Sequence, residues 1–206
     1  FVLLLSAIAV VFFFSPLEYE SKNLFPWQLI PLISIFLVVG LGIFIGGSNP
    51  NKPLNQMGAF SLFIYGFQLL ASISMGFASD AMVGHRIEQL CYLVFCFAPS
   101  VQSRFAFLSF EKKIPRPFLL IDIASALLAA LALSPYLFVG YYNFPWGRFS
   151  SSGPVIQGLG LVGFIAIIAT LNEWNQKRKK REIKPMGNFA VFYLAMGGVM
   201  LLFNLP

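Results

Sequence analysis

The chain has 206 residues, 58% hydrophobic and only 11% charged, with 24 Phe, a net charge of +6 and a mean hydropathy of +0.78. A soluble domain carries roughly 25% charged residues, so this composition excludes one and leaves room for little besides membrane-spanning helices of about 20 residues each. The basic residues sit in short loops beside apolar runs, which indicates membrane topology and excludes a nucleic-acid footprint.

Apolar segments occur at about 1–15, 27–46, 58–78, 87–109, 117–139, 153–172 and 188–204. The connections between them, such as GGSNPNKPLN, EKKIPRP and GYYNFPWGRFSSSG, are rich in the Pro, Gly, Asn and Ser of turns. Helices are expected throughout, because a lipid-exposed strand leaves its amides unpaired and the segments lack barrel alternation. The expected fold is all-α: one polytopic transmembrane helix bundle over 1–206 with about seven helices. Segment 1–15 reads as an anchor, since no small-residue cleavage site follows it and Pro16 opens a polar loop. The chain starts at Phe1 inside an apolar run and stops at Pro206 as another finishes, so a longer polypeptide is expected, with an eighth helix beyond.

Orientation follows from the cations of alternate loops. Lys52, Lys112, Lys113 and Arg116 lie on one side with the six in EWNQKRKKREIKP (173–185), while Lys22, Arg86 and Arg148 lie on the other. The richer side is expected in the cytoplasm of an inner (plasma) membrane, which places loops 47–57, 110–117 and 173–187 there. The loops near Tyr19, Asp80–Arg86 and Tyr141–Ser152 then face outward.

Ionisable residues inside apolar segments are candidates for function. Arg104, seven residues before Glu111, and Asp122, five after Pro117, lie at similar depth on consecutive helices and carry opposite charge. They form a structural ion pair, an interfacial arrangement without contact, or part of a signalling or transport site. His85, the one histidine, clusters with Asp80, Arg86 and Glu88 at the outer mouth; pH sensing, pigment ligation and an ordinary interfacial role are all open, but a metal site lacks further ligands. In the loop YYNFPWGRFSSSGP, Tyr142 and Trp146 suit an aromatic belt, whereas four glycine and proline breakers and Arg148 suit a folded, ligand-facing loop. Cys91 and Cys96 are five residues apart on one helix and point in different directions, so they read as packing residues and not as a disulfide. Glycines at 40, 42, 46, 47, 158, 160, 163, 197 and 198 allow close helix approach.

GxSxG, HExxH, a Walker lysine and a pair of mid-membrane carboxylates are all missing from the sequence, and no GxGxxG is placed to cradle a phosphate, since Gly158, Gly160 and Gly163 lie inside an apolar segment; no enzymatic activity is expected in this segment. Coupled transport finds only Asp122 for its acidic residue, which ranks it below the other readings.

Three features together resemble the N-terminal seven-helix sensor region of bacterial histidine kinases, diguanylate cyclases and related signalling proteins. They are the Pro-containing helix at Phe97, Ala98 and Pro99 leading to a charged turn, the aromatic loop with Trp146, Gly147, Gly153 and Pro154, and the basic loop before a Gly-containing helix. The resemblance starts at Trp27 and implies a membrane input module whose outer residues His85, Tyr142, Trp146 and Arg148 face the stimulus. It implies a cytoplasmic signalling domain as partner, on this chain or another, besides the lipid bilayer and a second copy in a homodimer. No cofactor is expected. The competing expectation is an accessory subunit of a larger membrane complex, where neighbouring subunits are the partners and a pigment or lipid is bound.

Overall fold

The computed structural model describes residues 26–77, 80–110, 113–144 and 147–180, together with 187, 188, 191 and 192. The expected helix at 1–15 lies outside them, as does nearly all of that at 188–204. The described elements run α1 (Pro26–Ser48), α2 (Pro53–Phe77), α3 (Ala81–Phe95), α4 (Ala98–Ser109), α5 (Phe118–Leu131), β1 (Phe138–Phe144), β2 (Gly147–Ser152) and α6 (Pro154–Lys179).

Helices α3 and α4 are two halves of one rod, Ala81–Ser109, broken at Cys96 and Phe97. Pro99 has no amide hydrogen to return to the preceding turn, and the chain tightens there, with the Phe97 amide donating to Val94 O at 3.1 Å. Counting that rod once, the described residues form five helical rods, not the seven expected. Four of them (α1, α2, α3–α4 and α6) are long and apolar enough to cross a membrane. The fifth, α5, has 14 residues and is only about 21 Å long, short of a ~30 Å hydrocarbon layer.

Helix α2 begins at Pro53 and α3 at Ala81, both earlier than the expected 58 and 87, and two further boundaries differ for physical reasons. The run 117–139 was expected to be one helix, but it stops at Leu131 and enters a strand at Phe138. Phe138, Val139, Tyr141, Tyr142 and Phe144 are β-branched or aromatic, and they pair antiparallel with β2. Val139 is the extra residue between the pairs Phe138–Ser152 and Gly140–Ser151, and the resulting bulge bends the hairpin. Among the described residues the fold is therefore mainly helical with one β-hairpin, not purely α. The basic stretch, expected as loop 173–187, is helical as far as Lys179, where Lys177, Arg178 and Lys179 complement the negative end of the α6 dipole.

Irregular backbone next to an apolar bundle must find internal partners. Between α5 and β1 the amides of Ala132 and Ser134 donate to Leu128 O and Leu131 O, both at 2.9 Å, and Gln89 of α3 donates its side-chain amide to Ser134 O at 3.2 Å. The hairpin closes onto α6 through Gly153, whose amide donates to Leu137 O at 2.8 Å. A Cβ on Gly153 would stand 2.3 Å from Tyr136 O, so only glycine fits this pinch.

The main core joins Ile64 and Phe67 of α2, Cys91, Tyr92 and Phe95 of α3, and Val155 and Leu159 of α6. A second cluster stacks Phe107 edge-on against Phe118, ring centroids 4.7 Å apart, beside Ile121 and Ala166. Helix α1 lies along α2 with Gly42 against the Phe63 ring and Gly46 against Ala59, a GxxxG contact. Its far side is bare: Phe36, Leu37 and Phe44 are each about two-thirds exposed. Helices α5 and α6 likewise turn Leu120, Leu127, Leu161 and Phe164 outward. An exterior this apolar is what hydrocarbon covers, and water does not tolerate it over such an area. The molecule is a membrane protein built as a helical bundle.

Candidate functional site: a hairpin-capped cleft and an ion pair on one kinked rod

Asp80 starts α3 by accepting the Met82 amide at 2.8 Å, an N-cap that makes residues 81–86 helical instead of loop. His85 and Arg86 therefore sit on the first turns of a helix, not in a loop. His85 is a quarter exposed and packs between rings of the hairpin, 5.5 Å from Phe138 and 6.0 Å from Tyr141. One turn on, Glu88 is 5% exposed, a burial that a carboxyl group tolerates only with polar partners. Its partners are Ser150 of β2, whose hydroxyl donates to Glu88 Oε2, and His85, whose Nδ1 lies 3.6 Å from the same oxygen. Ser150 Oγ is also 3.3 Å from His85 Nδ1. Three polar side chains from two elements thus converge on one point.

This convergence fastens the hairpin to α3. Glu88 holds the β2 strand and Gln89, the next residue, holds the root of β1 at Ser134. Ser150 Oγ lies nearer Glu88 Oε2 than His85 Nδ1, so the carboxyl group is its principal partner.

Beside it opens a cleft of about 520 Å3 lined by Asp80, His85, Arg86, Gln89, Phe138 and Tyr141, among others. Arg86 is exposed, and the aromatic rings give the cleft an apolar wall with charge at its rim. Such a mixture suits a small amphipathic ligand. Tyr142 lies opposite Phe149 on the hairpin, 57% exposed, with its hydroxyl 3.5 Å from Ser151 Oγ. Arg148 is placed by the register opposite Asn143 on β2, and Trp146 falls outside the described residues. His85 and Tyr141 are brought to the cleft; Tyr142 is not among its walls.

Beyond the break, the same rod carries the second candidate. Arg104 of α4 and Asp122 of α5 meet in an ion pair through Nη2 and Oδ2, with side chains 37% and 24% exposed. Ser100, one turn before Arg104, donates to the other oxygen, Asp122 Oδ1, at 2.5 Å. The antiparallel α4–α5 turn sets the two charges at one height. Ser100 and Ser150 escaped the sequence reading: serine in an apolar run gives no signal until its partner is known. Buried Ser103 and Ser125, on the same two helices, have no hydrogen-bond partner among the described residues.

Among the described residues no three His, Cys, Asp or Glu side chains gather to hold a metal. Cys91 and Cys96 are free and fully buried. Compared with known proteins, the chain matches no family model, no curated protein and no solved structure.

Proposed function

We propose that the protein is the membrane-embedded sensory input module of a bacterial signal-transduction protein, with the hairpin outside and the basic end in the cytoplasm. One observation carries this reading. The cleft under the hairpin is walled by the first turns of the same rod that reaches the opposite end of the bundle, where Arg104 fastens it to α5. A ligand seated between the hairpin and α3 would act on the Glu88–Ser150 tie and so bias the setting of the whole rod. In this reading the segment receives and relays, and any chemistry belongs to an output domain on this chain or a partner.

The test uses the native gene with its complete reading frame. A signalling domain in frame, with stimulus-dependent output that Tyr141→Ala or Arg86→Ala abolishes while membrane insertion persists, is the expected result. A frame closing soon after Pro206, with fixed membrane subunits copurifying, would refute the reading in favour of an accessory subunit.

A further inference from the structure

The basic end of the bundle has more cations than either topology or helix capping needs. Helix α6 has 26 residues and is about 39 Å long. Its uncharged stretch 154–171 spans about 27 Å, close to the hydrocarbon thickness, so the remainder projects into the headgroup layer and past it. Trp174 marks that depth, its indole donating to Asn188 Oδ1 at 3.1 Å. The Arg178 guanidinium lies over the same ring at 5.2 Å from its centroid, held at the level of the indole.

A helix C-terminus presents about half a negative charge, which one cation satisfies. Here Lys177, Arg178, Lys179 and Lys180 follow one another, and the last three are exposed. Lys177 has a separate task. Its ammonium donates to Phe110 O at 2.5 Å, which draws the end of α4 against α6. Phe110 precedes the connection bearing exposed Lys113 and Arg116, so this bond brings the start of a second cation-bearing segment to the basic end of α6. The one described carboxylate at this end, Glu173, lies a turn inward and is partly buried.

From this placement we infer that the angle between α6 and the α4–α5 connection is a binding site for anionic phospholipid headgroups. Arg178, Lys179, Lys180, Lys113 and Arg116 contact the phosphates, and Trp174 lies at the glycerol level. Lys177 is a positioning residue that joins the two elements. The occupant is a lipid and not a soluble acidic partner, because the cations begin within two turns of the end of the apolar stretch and their long side chains reach back toward the phosphates, as the Arg178 guanidinium does over the Trp174 ring. Each cation near an anionic surface contributes roughly a fivefold preference at low salt, so several together should enrich anionic lipid at this angle well beyond fivefold.

The full chain, with Trp27 and Trp146 replaced by Phe so that Trp174 is its one indole, is reconstituted in bilayers of phosphatidylcholine and phosphatidylglycerol. Bromine is placed on the acyl chains of one lipid or the other. Brominated phosphatidylglycerol should quench Trp174 at least about fivefold more effectively per molecule at low salt. That preference should fall at least severalfold in the Arg178→Gln, Lys179→Gln, Lys180→Gln variant, which keeps Lys113 and Arg116, and persist in Lys179→Arg, Lys180→Arg. If the glutamine variant does not insert, Lys113→Gln with Arg116→Gln tests the second element, and the expected result is at least a halved preference. Equal quenching by the two lipids in the unsubstituted chain overturns the inference, as it would if a soluble acidic partner were the true occupant. Inorganic phosphate should weaken the preference no more than chloride at matched ionic strength; abolition by phosphate alone would identify a free-anion site and also overturn it.

Discussion

Replacing Arg104 with alanine removes one partner of a charge pair that is neither on the surface nor fully buried. Exposed pairs are worth about 0–1 kcal/mol, and breaking a buried one costs about 3–5 kcal/mol. With side chains 37% and 24% exposed, the Arg104–Asp122 pair falls between, and Arg104→Ala should cost about 2 kcal/mol. Asp122→Ala should cost more, about 3 kcal/mol, because it also strands the Ser100 hydroxyl that donates to Oδ1. The double variant leaves neither charge unpaired, so its loss should be smaller than the two single losses added, with a coupling energy of about 1–2 kcal/mol. Exposed Arg86→Ala serves as a reference, with an effect within about 0.5 kcal/mol. Reversible unfolding of the full chain in mixed micelles measures all four. A coupling below about 0.3 kcal/mol would show that the two side chains act independently, and the clamp between α4 and α5 would have to be abandoned.

Gly153→Ala forces a methyl group against two carbonyl oxygens, those of Tyr136 at 2.3 Å and Leu137 at 2.7 Å, and should cost about 2–4 kcal/mol through lost hydrogen bonds at the hairpin root. Amide hydrogen exchange in β1 and β2 should accelerate; protection equal to the native chain would rule out the pinch. Ser150→Ala withdraws the hydroxyl from buried Glu88 and should loosen the hairpin by about 1–3 kcal/mol, whereas adding Glu88→Leu should restore part of the loss, since both polar groups are then gone. Proteolysis rates within the hairpin report this, and a double variant worse than the single one contradicts it. Cys91 and Cys96, both 0% exposed, should resist maleimide in a bilayer and react after unfolding; rapid modification of the native protein would refute their burial.

The long rods α1, α2 and α6 were legible because an uninterrupted apolar run of spanning length has few other fates. The height match of Arg104 and Asp122 was legible for a similar reason: both sit a fixed number of residues from one short turn. Hydropathy failed at 117–139, since Leu and Ala of a helix and Phe, Val and Tyr of a strand score alike, and only the aromatic enrichment after Pro135 separates them. The N-cap at Asp80 carried a readable signal that would have put His85 on a helix from the start. The Glu88–Ser150 contact had none. It joins residues 62 apart through a bulged register that no local pattern specifies.

The break at Cys96 and Phe97 divides its rod into arms of comparable reach. Glu88 lies about 12 Å above it and Arg104 about 10 Å below, each held by a different neighbour. Because the backbone is interrupted between them, the upper arm takes its setting from the hairpin and the lower arm from α5, and one rod carries two separately anchored contacts.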